Sequence, residues 1–255
     1  MRIVEQTRAR SIGGHEVVTD RGTVRARSVV RATEAYTRDL PGARRQLLPV
    51  YSLMVATEPL APEVLAEIGL ATRPTFSDDR YSIIYGQRTD DGRIAFGGRG
   101  VPYLFGSRLD AGAEIHDGVH KLLADTLTEL FPVLAGVRYT HRWGGPLGIP
   151  RNWTPGVAYD PGAGHGVLGG YVGEGVAASN LAGRTMAELV AGHDTERTSL
   201  PWVGAVSRPW EPEPLRWIGF RASRRLITGA DRRENRTGRE AKAARALANR
   251  LRGRR

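Results

Sequence analysis

Gly169-Gly170-Tyr171-Val172-Gly173-Glu174-Gly175-Val176 runs without a break into Ala177-Ala178-Ser179-Asn180-Leu181-Ala182-Gly183-Arg184-Thr185-Met186-Ala187-Glu188-Leu189. The pattern predicts a glycine-rich turn feeding a helix from about Val176 to Ala191, stopped by Gly192. Glycines at a helix entrance let a ligand come close to backbone N–H groups, and the helix dipole favours negative charge there. The small side chains of Ala177, Ala178, Ser179 and Gly183 would let the helix lie close on a sheet. A tight connection with no ligand fits the same letters, so both readings stand on this stretch alone.

Just upstream, Gly164-His165-Gly166-Val167-Leu168-Gly169 spells GxGxxG. A dinucleotide fingerprint needs a strand before it and a helix directly after, whereas Val167 to Val172 itself reads as strand. The letters are therefore read as a hairpin turn. Further back, Val24 to Thr33 alternates and then turns apolar, as a strand covered on both faces would. Leu47 to Thr57 is β-rich, and Pro59 and Pro62 end it. Tyr81 to Arg88 and Arg93 to Arg99 form a hairpin across Thr89-Asp90-Asp91-Gly92. Asp110 caps a predicted helix with Ile115, Val119, Leu122, Leu123, Leu127 and Leu130 on one face, stopped by Pro132. A stretch rich in Gly and Pro from Trp143 to Asp160 follows. This order, α/β followed by α+β with a late return to glycine-rich backbone, predicts an interrupted domain.

Composition narrows the chemistry. The chain has 255 residues, no cysteine and a formal net charge of +10. Disulfides, iron–sulfur clusters, thiolate zinc sites and a cysteine nucleophile are excluded. No run is long and apolar enough to span a bilayer and the N-terminus lacks a signal-peptide core, so a cytoplasmic protein is expected. The charge sits at one end: residues 215–255 hold 14 Lys/Arg against 3 Asp/Glu, which leaves 1–214 at a net −1. Ala241, Ala244, Leu247, Ala248 and Leu251 share a helix face there, with Arg245, Arg250 and Arg252 off it. Alanines bury too little area for a membrane anchor, and no aromatic follows Phe220 to stack on bases, so neither a membrane anchor nor nucleic-acid binding is expected. His116-Asp117-Gly118-Val119-His120 resembles a metalloprotease HExxH, but Asp is short for the base and Gly118 weakens the helix. Surface histidines are the preferred reading, with no metal site and no catalytic triad expected.

Several segments, in order, resemble the D-amino-acid-oxidase-like FAD-dependent oxidoreductases, nearest their γ-glutamylputrescine oxidase-like branch. They are Ala32-Thr33-Glu34-Ala35-Tyr36-Thr37 through Gly42, Pro49-Val50-Tyr51-Ser52-Leu53-Met54-Val55-Ala56-Thr57-Glu58-Pro59-Leu60, and Arg93-Ile94-Ala95-Phe96-Gly97-Gly98-Arg99. Arg142-Trp143-Gly144-Gly145-Pro146-Leu147, then Gly170 to Val176 with Ser179 to Thr185, continue the match, and Thr198-Ser199-Leu200-Pro201-Trp202 ends it. The resemblance implies a partial FAD-binding, glutathione-reductase-like domain interrupted by a mostly antiparallel substrate domain. Residues 1–46 would end the FAD-binding domain, 47–142 form the insert, 143–214 return, and 215–255 make a basic tail. FAD would meet Thr33, Trp143, Gly144, Gly145 and Gly170, Tyr171, Val172, Gly173, Glu174, Gly175 and Val176. The N–H groups of Gly173 to Val176 would face the pyrimidine end of the flavin. Tyr51, Tyr85 and Arg99 are candidates for the substrate face, with ordinary strand residues as the alternative.

The implied reaction is oxidation of the C–N bond of a small amine or amino acid by hydride transfer to flavin N5. The cofactor carries the hard step, so no catalytic side chain is assigned. The family's opening βαβ unit with GxGxxG is not found in these residues. A truncated form is therefore expected, with one half of a two-chain enzyme, its N-terminal half on another chain, or a non-catalytic interaction module as the competing readings.

Overall fold

The structure is a computed structural model that describes residues 2–99 and 103–251. The strands in chain order are β1 (Ala9–Ile12), β2 (Glu16–Thr19), β3 (Gly22–Arg25), β4 (Val29–Arg31), β5 (Leu48–Thr57) and β6 (Thr75–Phe76). Then follow β7 (Ile84–Arg88), β8 (Ile94–Arg99), β9 (Tyr139–Ile149), β10 (Gly156–Asp160) and β11 (His165–Gly169). The helices are α1 (Pro62–Ile68), α2 (Asp117–Leu130), α3 (Gly175–Ala191), α4 (Leu215–Thr237) and α5 (Lys242–Leu251). The fold is mixed α/β with several antiparallel sheets. The chain divides into two compact units, the first built mainly from 1–49 and 147–216, the second from 50–146 and 217–250.

In the first unit β1, β2 and β3 form an antiparallel meander. The expected continuous strand from Val24 to Thr33 is broken between Arg25 and Val29: the Ala26 N–H donates to the His15 carbonyl at the end of the β2–β3 ladder, and no strand continues from there. The chain resumes as β4, which pairs parallel with β11, and β11 pairs antiparallel with β10. Residues 161–164 join β10 to β11, so the GxGxxG letters occupy a hairpin turn and its strand. Helix α3 covers this sheet, and Val157, Tyr171, Ala182 and Met186 make the core between them. Gly166 of β11 permits the approach: a Cβ there would lie 2.7 Å from Met186 Sδ. Gly192, left-handed at φ +71°, ends α3 where expected.

The second unit is built on a sheet ordered β6-β7-β8-β5-β9. Alternation along β5 sends Tyr51, Leu53 and Val55 to one face, where they pack with Ile84, Phe96, and Val119, Leu123 and Leu127 of α2. The predicted hairpin is present, with Tyr85 opposite Gly97 and Gln87 opposite Ala95. The expected helix start moves. Asp110 caps a short 3-10 turn by accepting from the Gly112 N–H (2.9 Å), and α2 begins only at Asp117. His116 is that helix's N-cap, its Nδ1 accepting from the Val119 N–H, and His120 is buried. The glycine- and proline-rich stretch from Trp143 contains seven residues of the eleven-residue strand β9.

The basic tail also differs from its expectation, because α4 was not anticipated. From Trp217 onward it packs on the second unit: the Phe220 and Tyr103 ring centroids are 5.8 Å apart, and Asp231 accepts from the N–H groups of Tyr81 (2.9 Å) and Ser82 (3.0 Å). Among the described residues no helix is long and apolar enough to cross a membrane.

Candidate functional site

Residues 169–173 link β11 to α3 through an unusual backbone. Gly169, Gly170 and Gly173 have φ of +147°, +75° and +109°, and Val172 has φ +57°. Three glycines adopt this region at little cost, but for a β-branched residue it is strained. These angles also end β11 at Gly169, three residues before the expected Val172.

One carboxylate holds the turn. Glu34, itself at φ +43°, accepts from the N–H groups of Gly170 (2.6 Å) and Tyr171 (3.1 Å) through Oε1 and from Gly148 (3.0 Å) through Oε2. Charge-assisted bonds of this kind are about twice as strong as neutral ones. Glu34 was not among the candidate site residues. Its partners lie 114 to 137 residues away in sequence, and no local pattern announces them.

The helix that the turn delivers is open at its start. Glu174 precedes α3 without a side-chain cap, and the first turn has no acidic residue. Val176 is 95 % exposed. The first N–H groups of a helix have no intrahelical acceptor, so the positive end of a seventeen-residue dipole lies bare beside a glycine-rich loop. Behind it the Tyr171 ring is buried, and its hydroxyl has no hydrogen-bond partner. Burial, then the Glu34 charge, raises its phenol pKa to about 12, so the group stays protonated. The first-turn N–H groups of α3, which have no intrahelical acceptor, fit an electron-rich, partly anionic heterocycle. Thr33, two residues past the end of β4, has its hydroxyl 2.8 Å from that of Thr37.

The remaining candidates lie in the second unit. In register, Ser52 of β5 is opposite Arg99 and Met54 opposite Gly97, which is opposite Tyr85. Tyr85 and Ser52 hydroxyls are 2.5 Å apart. Gly97 is required between them: a Cβ there would lie 2.7 Å from the Tyr85 ring and 2.8 Å from Met54 Cγ. The Arg99 side chain lies outside the described residues. Tyr51 belongs to the opposite face of the sheet, 2 % exposed, with its hydroxyl donating to the Asp110 carbonyl and accepting from the Asp110 N–H. The structure therefore groups Tyr85 with Ser52 and separates Tyr51 from both. On β9, Trp143 is partly exposed and its carbonyl is 3.4 Å from His120 Nε2. Gly144 lies against β5, where a Cβ would be 2.9 Å from the Ser52 carbonyl oxygen, while Gly145 faces open space.

Comparison with known proteins gives this arrangement a context. The profile of the FAD dependent oxidoreductase family matches residues 1–189. A probable oxidoreductase, OrdL, of Rhizobium meliloti (strain 1021) is 32 % identical over 208 residues, which cover 76 % of this chain and 44 % of that protein. The gamma-glutamylputrescine oxidoreductase of Escherichia coli (strain K12) is 33 % identical over 190 residues, 71 % of this chain and 40 % of that protein. The chain thus spans less than half the length of these relatives. Among solved structures, L-proline dehydrogenase from P. horikoshii aligns with a TM-score of 0.61 at 18 % identity, over 76 % of this chain and 52 % of that one. Glycine oxidase from Geobacillus kaustophilus gives a TM-score of 0.60 at 22 % identity, over 76 % and 50 %. With three quarters of its length inside the family profile and the same fold in these structures, the chain belongs to the D-amino-acid-oxidase-like FAD-dependent oxidoreductases.

Proposed function

We propose that the chain acts as an FAD-dependent oxidoreductase on the C–N bond of a small amine or amino acid, nearest in kind to the γ-glutamylputrescine oxidoreductases. The single observation that carries this reading is the bare N-terminus of α3, delivered by a loop with φ positive at Gly169, Gly170, Val172 and Gly173, in a chain of this family. When bound, FAD supplies at N5 the acceptor for a hydride leaving the carbon beside a neutral amine, and water hydrolyses the resulting imine.

The protein's own residues bind and orient. The first-turn N–H groups of α3, with Gly173 before them, hold negative charge at the pyrimidine end, and Glu174, whose N–H donates to the Tyr171 carbonyl (3.0 Å), closes the turn that presents them. Gly170, Tyr171 and Val172 shape the approach and Thr33 serves the adenosine or pyrophosphate side; in the second unit, Trp143, Gly144 and Gly145 are assigned to the cofactor. Tyr85, steadied by Ser52, and Arg99 orient the substrate, and Tyr51 supports their sheet from behind. No side chain is assigned as acid, base or nucleophile, and no metal is invoked.

In domain terms, residues 1–46 and 143–214 form part of a glutathione-reductase-like FAD-binding domain and 47–142 the substrate domain. The passage between compact units after Pro49 and before Leu147 supports this division.

The test is an FAD titration of the purified chain followed by flavin fluorescence, with Val176→Asp in parallel. A carboxylate on the first turn should compete for the helix end and weaken binding about tenfold. Equal FAD affinity in the variant, or no saturable quenching by the parent chain, would overturn the assignment of α3.

A further inference from the structure

Helix α4 sorts its charges by face. Its two acids turn toward the protein: Asp231 accepts from Tyr81 and Ser82 N–H groups, and Glu234 accepts from the Tyr81 hydroxyl at 3.1 Å. Arg221, Arg225, Arg232, Arg233 and Arg236 are all exposed. On the same exposed face, among these arginines, runs an apolar line, Ile218, Ala222 and Leu226, spaced four residues apart. Ile218 is 53 % and Leu226 56 % exposed. At its head, Phe105 is 58 % exposed and meets the Trp217 ring edge-on, with centroids 6.3 Å apart, while the Arg221 guanidinium stacks 4.3 Å above Trp217.

We propose that this outer face of α4 docks the protein peripherally on an anionic lipid surface. Exposed arginines with no outward acid ask for an anionic partner. The apolar and aromatic line selects among anionic partners: a bilayer interface rewards Ile, Leu, Phe and Trp beside arginine, whereas a nucleic-acid backbone does not. Two-fold pairing with a second copy would set arginine against arginine. The alanine-poor character of this face also removes the objection raised against the 241–251 helix, because Ile218, Leu226 and Phe105 carry the area that alanines lack.

The experiment is cosedimentation of the full chain with vesicles of phosphatidylcholine alone and with about 30 % phosphatidylglycerol. The expected result is binding to the anionic vesicles only. Ile218→Glu with Leu226→Glu should weaken it at least about tenfold, and Arg221→Gln with Arg225→Gln by about 25-fold, near fivefold per arginine. All four positions but the Arg221 stack are solvent-facing, and unchanged thermal melts certify the variants; Ile218→Ala with Leu226→Ala replaces the glutamate pair if that pair melts early. Absence of sedimentation with anionic vesicles would overturn the proposal. So would parent-like binding by both apolar variants, tighter binding to duplex DNA than to vesicles, or a solution dimer that the Ile218 and Leu226 changes dissociate.

Discussion

A valine as the second residue of α3 supplies neither cap nor charge to a helix end that rewards both. Val176→Asp should therefore raise stability to urea by about 0.5 kcal/mol while lowering FAD affinity, and a variant that loses both would place Val176 in packing instead. Tyr171 bears on the same region. Its neutral form is favoured by burial and by the Glu34 charge, so the stability it contributes is intact below its ordinary pKa of 10.0 and drains as pH rises toward about 12. Tyr171→Phe removes a buried hydroxyl that has no partner. Urea titrations at neutral pH should find it as stable as the parent or about 1 kcal/mol more so, with a flatter alkaline limb; a loss above about 2 kcal/mol would mean the hydroxyl is bonded. Glu34 behaves oppositely. Glu34→Ala strands three backbone donors and should cost about 2 to 3 kcal/mol, with Glu34→Gln recovering roughly half through its one amide oxygen. Equal stabilities for the two variants would dismiss the carboxylate as the clamp.

At the scale of elements, the β7–β8 hairpin shows why a glycine can decide a sheet face. Gly97→Ala would drive a methyl group into Tyr85 and Met54, costing about 1 to 3 kcal/mol and parting Tyr85 from Ser52. Thermal melts of Gly97→Ala and of the more remote Gly145→Ala, whose Cβ meets nothing, should differ accordingly; matching melts would contradict the packing described. Elements with local signals were legible in the sequence. α3 announced itself by its small-residue run and Gly192, and the hairpin by Thr89 to Gly92 between alternating strands. β9 was hidden because glycine and proline usually mark loops, yet Gly144 lies in that strand where β5 leaves no room for a side chain. α4 was hidden for another reason. Arginines interrupt its apolar pattern, and what anchors it, Asp231 on the 81–82 backbone and Phe220 on Tyr103, is tertiary. The same holds for the site. The glycine-rich entrance could be read from its letters, whereas the Glu34 clamp and the separation of Tyr51 from Tyr85 depend on register and on contacts far apart in sequence.

For the whole molecule, one unit carries a helix end suited to an electron-rich heterocycle and the other carries a polar Tyr85–Ser52 pair on a sheet face. Each unit has its own buried core, so both can order the groups they carry. The central claim is that these groups serve flavin-dependent amine oxidation. Its most direct test is the visible spectrum of the purified chain with FAD, recorded before and after anaerobic addition of primary amines, secondary amines and amino acids. The expected result is a bound-flavin spectrum that bleaches with one of these substrate classes and returns when an electron acceptor is admitted. A spectrum identical to free FAD, or a bound flavin that stays oxidised with every amine and amino acid, would contradict it.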